Sequence, residues 1–295
     1  MKRNGLFSRS YLFVVFLFLY APILVLIVFS FNAAKSSAVW TGFTLDWYIQ
    51  LSQNSMILDA LWLTLIVAAL SAVISTVIGT AAAIGFSNLK RRSRRVCMTL
   101  NNIPLTNADI ITGVSMMLLF MLAVNAWNGS LGGLVIRLPF HTIEIPELSL
   151  GFWSLLIAHI TFDVPYVILS VMPKLRQLDP NIYEAAQDLG DHGLHAFYKV
   201  ILPEIMPGVI NGLIMSFTLS VDDFVISYFT SGPRIQNLSM LIYSMAKKRV
   251  SPEINALSTI MFLVVMGLMV AVNLRQTRQE RLARQRKAAL TADPN

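Results

Sequence analysis

The sequence predicts an all-α membrane protein of six transmembrane helices, and three observations carry that prediction. Charged residues make up only 13% of the 295, about half the ~25% of a soluble domain. Apolar residues reach 55% and mean hydropathy is +0.63, which leaves too little polar surface to cover a water-soluble globule of this size. Six apolar stretches, at 11–31, 61–86, 98–124, 150–172, 205–229 and 254–274, have the length that a hydrocarbon core of about 30 Å demands of a helix. A disordered chain is excluded by this composition. A disulfide scaffold is excluded because Cys97 is the sole cysteine.

The first stretch follows a short N-terminal segment, 1–10, that carries Lys2, Arg3 and Arg9. Its 21 apolar residues exceed the roughly 7 to 15 of a secretory signal core, so it reads as a retained span. The second places Ser71, Ser75, Gly79 and Ala83 every fourth position, a spacing that lets another helix approach closely. The third is half polar: Asn101, Asn102, Pro104, Thr106, Asn107 and Asp109 crowd its first half, and only 110–124 is cleanly apolar. Such helices are tolerated where they line a cavity. The last is followed by a basic tail, 275–295, which reads as a stop-transfer anchor on anionic lipid rather than a nucleic-acid arm.

Positive charge sets the orientation, because cytoplasmic segments retain Lys and Arg. With the N-terminus inside, seventeen fall on cytoplasmic segments, five of them in 87–97, and six on outer loops. Both termini are therefore expected in the cytoplasm. Lys247, Lys248 and Arg249 form a local exception, read as an outer surface that meets a partner.

A carboxylate at the bilayer centre costs about 2.5–3.5 kcal/mol on insertion scales, and Asp109, Asp163, Asp222 and Asp223 each fall in a span. They occupy its middle and outer depths, where a cation crossing from outside would meet them. Two readings stand for Asp163: a pathway carboxylate, or a partner for His159 one turn earlier on the same face. Asp222 has a similar alternative in Thr218. Asp222 and Asp223 lie about 100° apart around a helix, so at least one is expected to face a cavity or another subunit.

The connector 173–204 predicts a helix of its own. Asp179 can cap it, Pro180 suits its first position and Gly190 its left-handed end. Between them Ile182, Ala185, Ala186 and Leu189 form an apolar face opposite Glu184 and Asp188. Helices that lie on membranes favour Lys and Arg on the polar face. An acidic face fits docking into a groove of a cytosolic protein better.

EAAQDLG at 184–190, followed by VILPEIMPG at 200–208, resembles the EAA signature of permease subunits of ATP-binding-cassette importers. Glu184, Ala185, Gly190, Leu202 and Pro203 match it, and Val200 stands where Ile is usual. SFN (30–32) with WTGFTLDWY (40–48), DIITG (109–113), FTLSVDDFVISYFTSGP (217–233) and SPEINALSTI (251–260) look like permeases of spermidine/putrescine importers. The outer loop 125–149, with Arg137, His141, Glu144 and Glu147, is longer than that pattern has it.

The resemblance implies the type I importer permease fold, with one transmembrane domain at 11–274 and a coupling helix at 180–190 that plugs into the ATPase. Glu184, Ala185, Ala186, Gly190, Leu202 and Pro203 would make that coupling. It further implies a homologous second permease, two cytosolic ATPase subunits that hold ATP and Mg, and a periplasmic polyamine-binding protein, all at a bacterial inner membrane. No cofactor and no catalytic or metal site is expected on this chain. No Gly is followed by Lys, so there is no P-loop, and the four His are scattered without an HExxH. The reading is then a polyamine import permease, with Asp109, Asp163, Asp222 and Asp223 along the substrate pathway. The alternatives are the same machine carrying an opine or a metal ion, and a secondary transporter driven by protonation of Asp109 or Asp163.

Overall fold

The computed structural model describes residues 5–34, 39–130, 147–179, 197–248 and 252–267, the strands 135–137 and 142–144, and a few single positions besides. The predicted coupling helix, 180–190, and the tail from 275 lie outside the described residues. Cα packing divides the chain into two units, one of 1–59 with 241–295 and one of 60–240.

In the first unit, helix α1 (Gly5–Phe29) is apolar from Tyr11 onward, with Pro22 inside it, and none of residues 9–29 is buried. Phe13, Phe16, Phe18 and Leu19 point outward, as a lipid- or subunit-facing helix requires. The segment that follows is knitted around Asn32. Its Oδ1 accepts the Thr41 N–H (3.0 Å), its Nδ2 donates to the Val39 carbonyl (2.7 Å), and its own carbonyl accepts the Trp47 indole N–H (2.8 Å). Phe31 stacks on Phe43 and Tyr48, which binds the SFN and WTGFTLDWY stretches into one element ahead of α2 (Asp46–Gln53).

The second unit is built on α3 (Ser55–Asn88, its first residues apart), α4 (Arg91–Thr106), α5 (Asp109–Ser130), α6 (Phe152–Gln177), α7 (Leu202–Asp222) and α8 (Val225–Thr230). A π-helical turn, Phe197–Ile201, leads into α7. Further elements are α9 (Leu238–Lys248) and an apolar helix α10 (Pro252–Gly267). Within 125–149, β1 (Val135–Arg137) and β2 (Thr142–Glu144) pair antiparallel, a small addition to the helical fold.

Close approach of α3, α6 and α7 forms the core, and glycines permit it. A Cβ on Gly79 would lie 2.7 Å from the Cβ of Val167, and one on Gly208 would lie 2.9 Å from the Ser170 carbonyl oxygen. The small-residue rows of α3 and α7 thus both close on α6, where Gly79 and Gly212 each meet Val167, and they reach each other at Ser71 and Ser220 (3.0 Å). Ala83, Val167, Ile168, Val171, Met172 and Ile205 pack at one level of this seam.

Two spans break where the sequence reading ran them through. The stretch 98–124 is two helices, with Asn107 extended between them (φ −77°, ψ 151°). Thr106, Asn107 and Asp109 compete for the backbone with their side chains and favour helix ends over interiors. The stretch 205–229 stops at Asp222, continues through an extended Asp223 (ψ 122°) and resumes at Val225. Gly232 then makes the turn after α8 at φ +70°, with the Leu150 carbonyl so near that a Cβ would lie 2.5 Å from it.

Candidate functional site

The break between α7 and α8 sets Asp223 at the start of a helix instead of in the middle of one. Its carboxylate accepts the backbone N–H of Ile226 (3.2 Å) and of Ser227 (2.7 Å), and the Ser227 hydroxyl (2.8 Å). These are the orphan donors of a first helical turn, and the carboxylate also complements the positive end of α8.

Ser227 connects this cap to α6. His159, only 3% exposed, has Nε2 3.0 Å from the Ser227 hydroxyl and Nδ1 2.5 Å from that of Ser220. Its Nε2 also lies 3.5 Å from the Asp223 carboxylate. Ser71 of α3 reaches Ser220 at 3.0 Å, and Asn237 Nδ2 donates to both Ser227 Oγ (2.7 Å) and the Asp223 carbonyl (3.1 Å). Four elements and the segment before α9 are thereby tied together through one imidazole.

Donor arithmetic fixes the tautomer. The single Ser227 hydroxyl proton goes to Asp223, so Ser227 accepts from His159 and Nε2 carries the proton. Nδ1 then has the Ser220 hydroxyl as its partner, and the single Ser71 proton is shared between Ser220 and the Ala68 carbonyl (3.2 Å).

Asp163 stands differently. It is fully buried one turn beyond His159, and among the described residues neither of its oxygens meets a partner at good hydrogen-bond geometry, as is also true of the Ser216 hydroxyl. It does not satisfy His159, whose two nitrogens are bonded elsewhere. Ser71 is its neighbour, and it lies within electrostatic reach of Asp223. Tyr166 senses both Asp163 and Asp109. Asp109 is the exposed first residue of α5, a helix packed on α8 where Gly113 meets Phe229 and the Val225 carbonyl. Asp163 and Asp223, on different helices, thus come within electrostatic reach of each other, and Asp109 comes within reach of Tyr166 on α6.

Asp222 is the exposed last residue of α7. Thr218 is not its partner, since that hydroxyl donates to the Ile214 carbonyl (2.8 Å). Of the residues that the resemblance assigns to coupling, Leu202 opens α7 and packs against the Ile205 cluster, and Pro203 is exposed beside it. Glu184, Ala185, Ala186 and Gly190 lie outside the described residues. Sequence reasoning missed His159 as a hub, together with Ser71, Ser220, Ser227 and Asn237. The spacing of Ser220, Asp223 and Ser227 at i, i+3 and i+7 was the available signal.

The sequence model described as "Binding-protein-dependent transport system inner membrane component" matches residues 75–285. The chain is 36% identical to the spermidine/putrescine transport system permease protein PotC of Escherichia coli (strain K12), over 91% of this chain and 93% of that one. It is 39% identical to the putrescine transport system permease protein PotI of the same organism, over 83% of this chain and 82% of the relative. Among solved structures it is similar to a chain of a bacterial ABC transporter involved in import of the acidic polysaccharide alginate, with TM-score 0.66, 18% identity, and coverage of 94% and 96%. At that identity the likeness shows the fold, that of a type I importer permease, and leaves the cargo open.

Proposed function

The chain belongs to the family of binding-protein-dependent transport system inner membrane components, and on that premise we propose that it is the permease subunit of an ATP-driven importer of polyamines, putrescine and spermidine among them. The observation that carries the cargo is the identity to PotC and PotI across most of both chains. The aspartates at the break between α7 and α8 support it, because a di- or trication gives up water on entering a low-dielectric passage and needs fixed negative groups in exchange.

The aspartates divide the work. Asp222 and Asp109, exposed at the ends of α7 and α5, face the passage and meet the ammonium groups. Asp223 and Asp163 stand behind them, the first holding α8 in place, the second an acid group buried among α3, α6 and α7. Attraction at several weak sites suits transit, which requires release as well as capture.

ATP is hydrolysed on partner ATPase subunits. Closure of that ATPase pair pulls the helix at 180–190, with Leu202 passing the motion into the α6–α7 core, and the passage opens toward a docked periplasmic binding protein. A second permease completes the passage, and both termini lie in the cytoplasm.

The test is uptake of labelled putrescine by polyamine-starved cells lacking their own importers, with this chain co-expressed with its partners and unlabelled spermidine as competitor. Uptake that requires this chain and ATP supports the reading, and the competition ranks the cargo. An assembled complex that hydrolyses ATP and moves no polyamine leaves the permease and removes the cargo.

A further inference from the structure

The end of α2 and the turn into α3 face the start of α10 across a pocket of about 270 Å³ lined by Gln50, Leu51, Gln53, Asn54, Ile57 and Glu253. All six belong to one compact unit. Leu51 and Ile57 form a buried apolar wall, the three amides are exposed, and Glu253 is half-buried. Among the described residues Glu253 has no ion pair and no hydrogen bond.

A glutamate in the first turn of a helix is ordinary, because it complements the dipole there. Asn54 has a role of its own, its Oδ1 accepting the Met56 N–H (3.1 Å) at the start of α3, but a helix start does not call for Gln50, Gln53 and an apolar wall around that carboxylate. An ammonium group offers three donors to acceptors such as a carboxylate and amide carbonyls, and an alkyl stem behind it would lie along Leu51 and Ile57. The volume is below the ~300–1,000 Å³ of sites that enclose a drug-sized ligand, so the pocket takes one end of a chain molecule. The charge count places the segments 32–60 and 230–253 on the outer side.

We propose that this pocket is an outer-face binding site for a primary alkylammonium group and its methylene stem. It deepens the polyamine reading and rests on it for the cargo. Two sources share the chemistry: one end of the polyamine itself, and a lysine of the docked binding protein.

The assembled transporter in lipid nanodiscs tests it with Glu253→Gln, which removes the charge and keeps the shape. Labelled putrescine binding without the binding protein is one arm, and docking of the binding protein, followed against salt, is the other. A loss of about tenfold in the first arm assigns the cargo. A similar loss in the second, with a shallower salt dependence, assigns the lysine. Gln53→Glu, which adds a charge to the pocket, is expected to strengthen whichever arm responds. Unchanged values in both arms for Glu253→Gln overturn the site. The polyamine reading is judged separately, by whether the wild-type complex imports putrescine at all: import with an indifferent Glu253 sinks the pocket alone. If import is absent but n-butylammonium protects Glu253 from carbodiimide labelling, the pocket stands and the cargo reading falls.

Discussion

Asp223 and Ser227 are bonded twice, since one carboxylate oxygen accepts both the backbone N–H of Ser227 (2.7 Å) and its hydroxyl (2.8 Å). The same carboxylate takes the N–H of Ile226, so α8 is held at its first turn by a single side chain. Asp222, the neighbour in sequence, is exposed at the end of α7.

The two adjacent aspartates should therefore fail differently. Asp223→Ala is expected to destabilise the subunit by about 0.5–2 kcal/mol, the range for loss of an N-cap, while Asp223→Asn retains an acceptor and folds. Asp222→Asn should leave stability within about 0.5 kcal/mol and still impair uptake. Thermal unfolding of the purified complex beside putrescine uptake checks both, and normal uptake by both Asn variants takes these residues out of the pathway.

His159→Leu removes the donor to Ser227 and the acceptor for Ser220 in a buried setting. Each polar group left without a partner costs about 1–3 kcal/mol. The variant should assemble poorly, and Ser220→Ala combined with it should restore part of the loss because one orphaned hydroxyl disappears. A double-mutant cycle on unfolding temperature measures this; strict additivity would show that the two residues do not share a network.

Asp163 predicts the reverse. A buried acid group without well-formed hydrogen bonds among the described residues is a cost to folding, so Asp163→Leu is expected to raise the unfolding temperature. If Asp163 serves the passage, uptake falls in the same variant. A lowered unfolding temperature would mean that the carboxylate has a stabilising partner in the assembled complex.

Gly79→Ala should be damaging and Gly85→Ala harmless. The first added methyl would sit 2.7 Å from the Val167 Cβ, and the second meets nothing within 4 Å. Overpacking of this kind costs about 1–3 kcal/mol, and Val167→Ala should partly rescue it. Yield of assembled complex is a sufficient readout.

Glu184→Lys tests the coupling helix. On the proposed reading, reversing a charge on the acidic face that the sequence predicts for 180–190 should lose the ATPase subunits on affinity purification of the permease while leaving the membrane domain folded. Full retention of the ATPase would remove Glu184 from the docking face.

The amino-acid sequence by itself determined that this is a multi-pass membrane protein and the transport family it belongs to. Length and apolarity reveal spans because a bilayer demands about twenty such residues, whatever they pack against. The EAA and Asp-Asp stretches revealed the family because their residues are contiguous. The breaks at Asn107 and Asp223 were only half legible: polar residues showed that α4 and α5 are not one clean span, but Asp222–Asp223 read as mid-helix because their neighbours are apolar on both sides.

Tertiary structure alone decided which carboxylates are engaged. His159 and Asp163, one turn apart, looked like partners, yet each helix face is divided among neighbours arriving from α3, α7 and α8. Ser220 and Ser227 claim the imidazole, and Asp163 is left in the seam without a well-formed bond among the described residues. Spacing along one helix fixes which side chains share a face, and only the approach of other helices fixes which of them find partners.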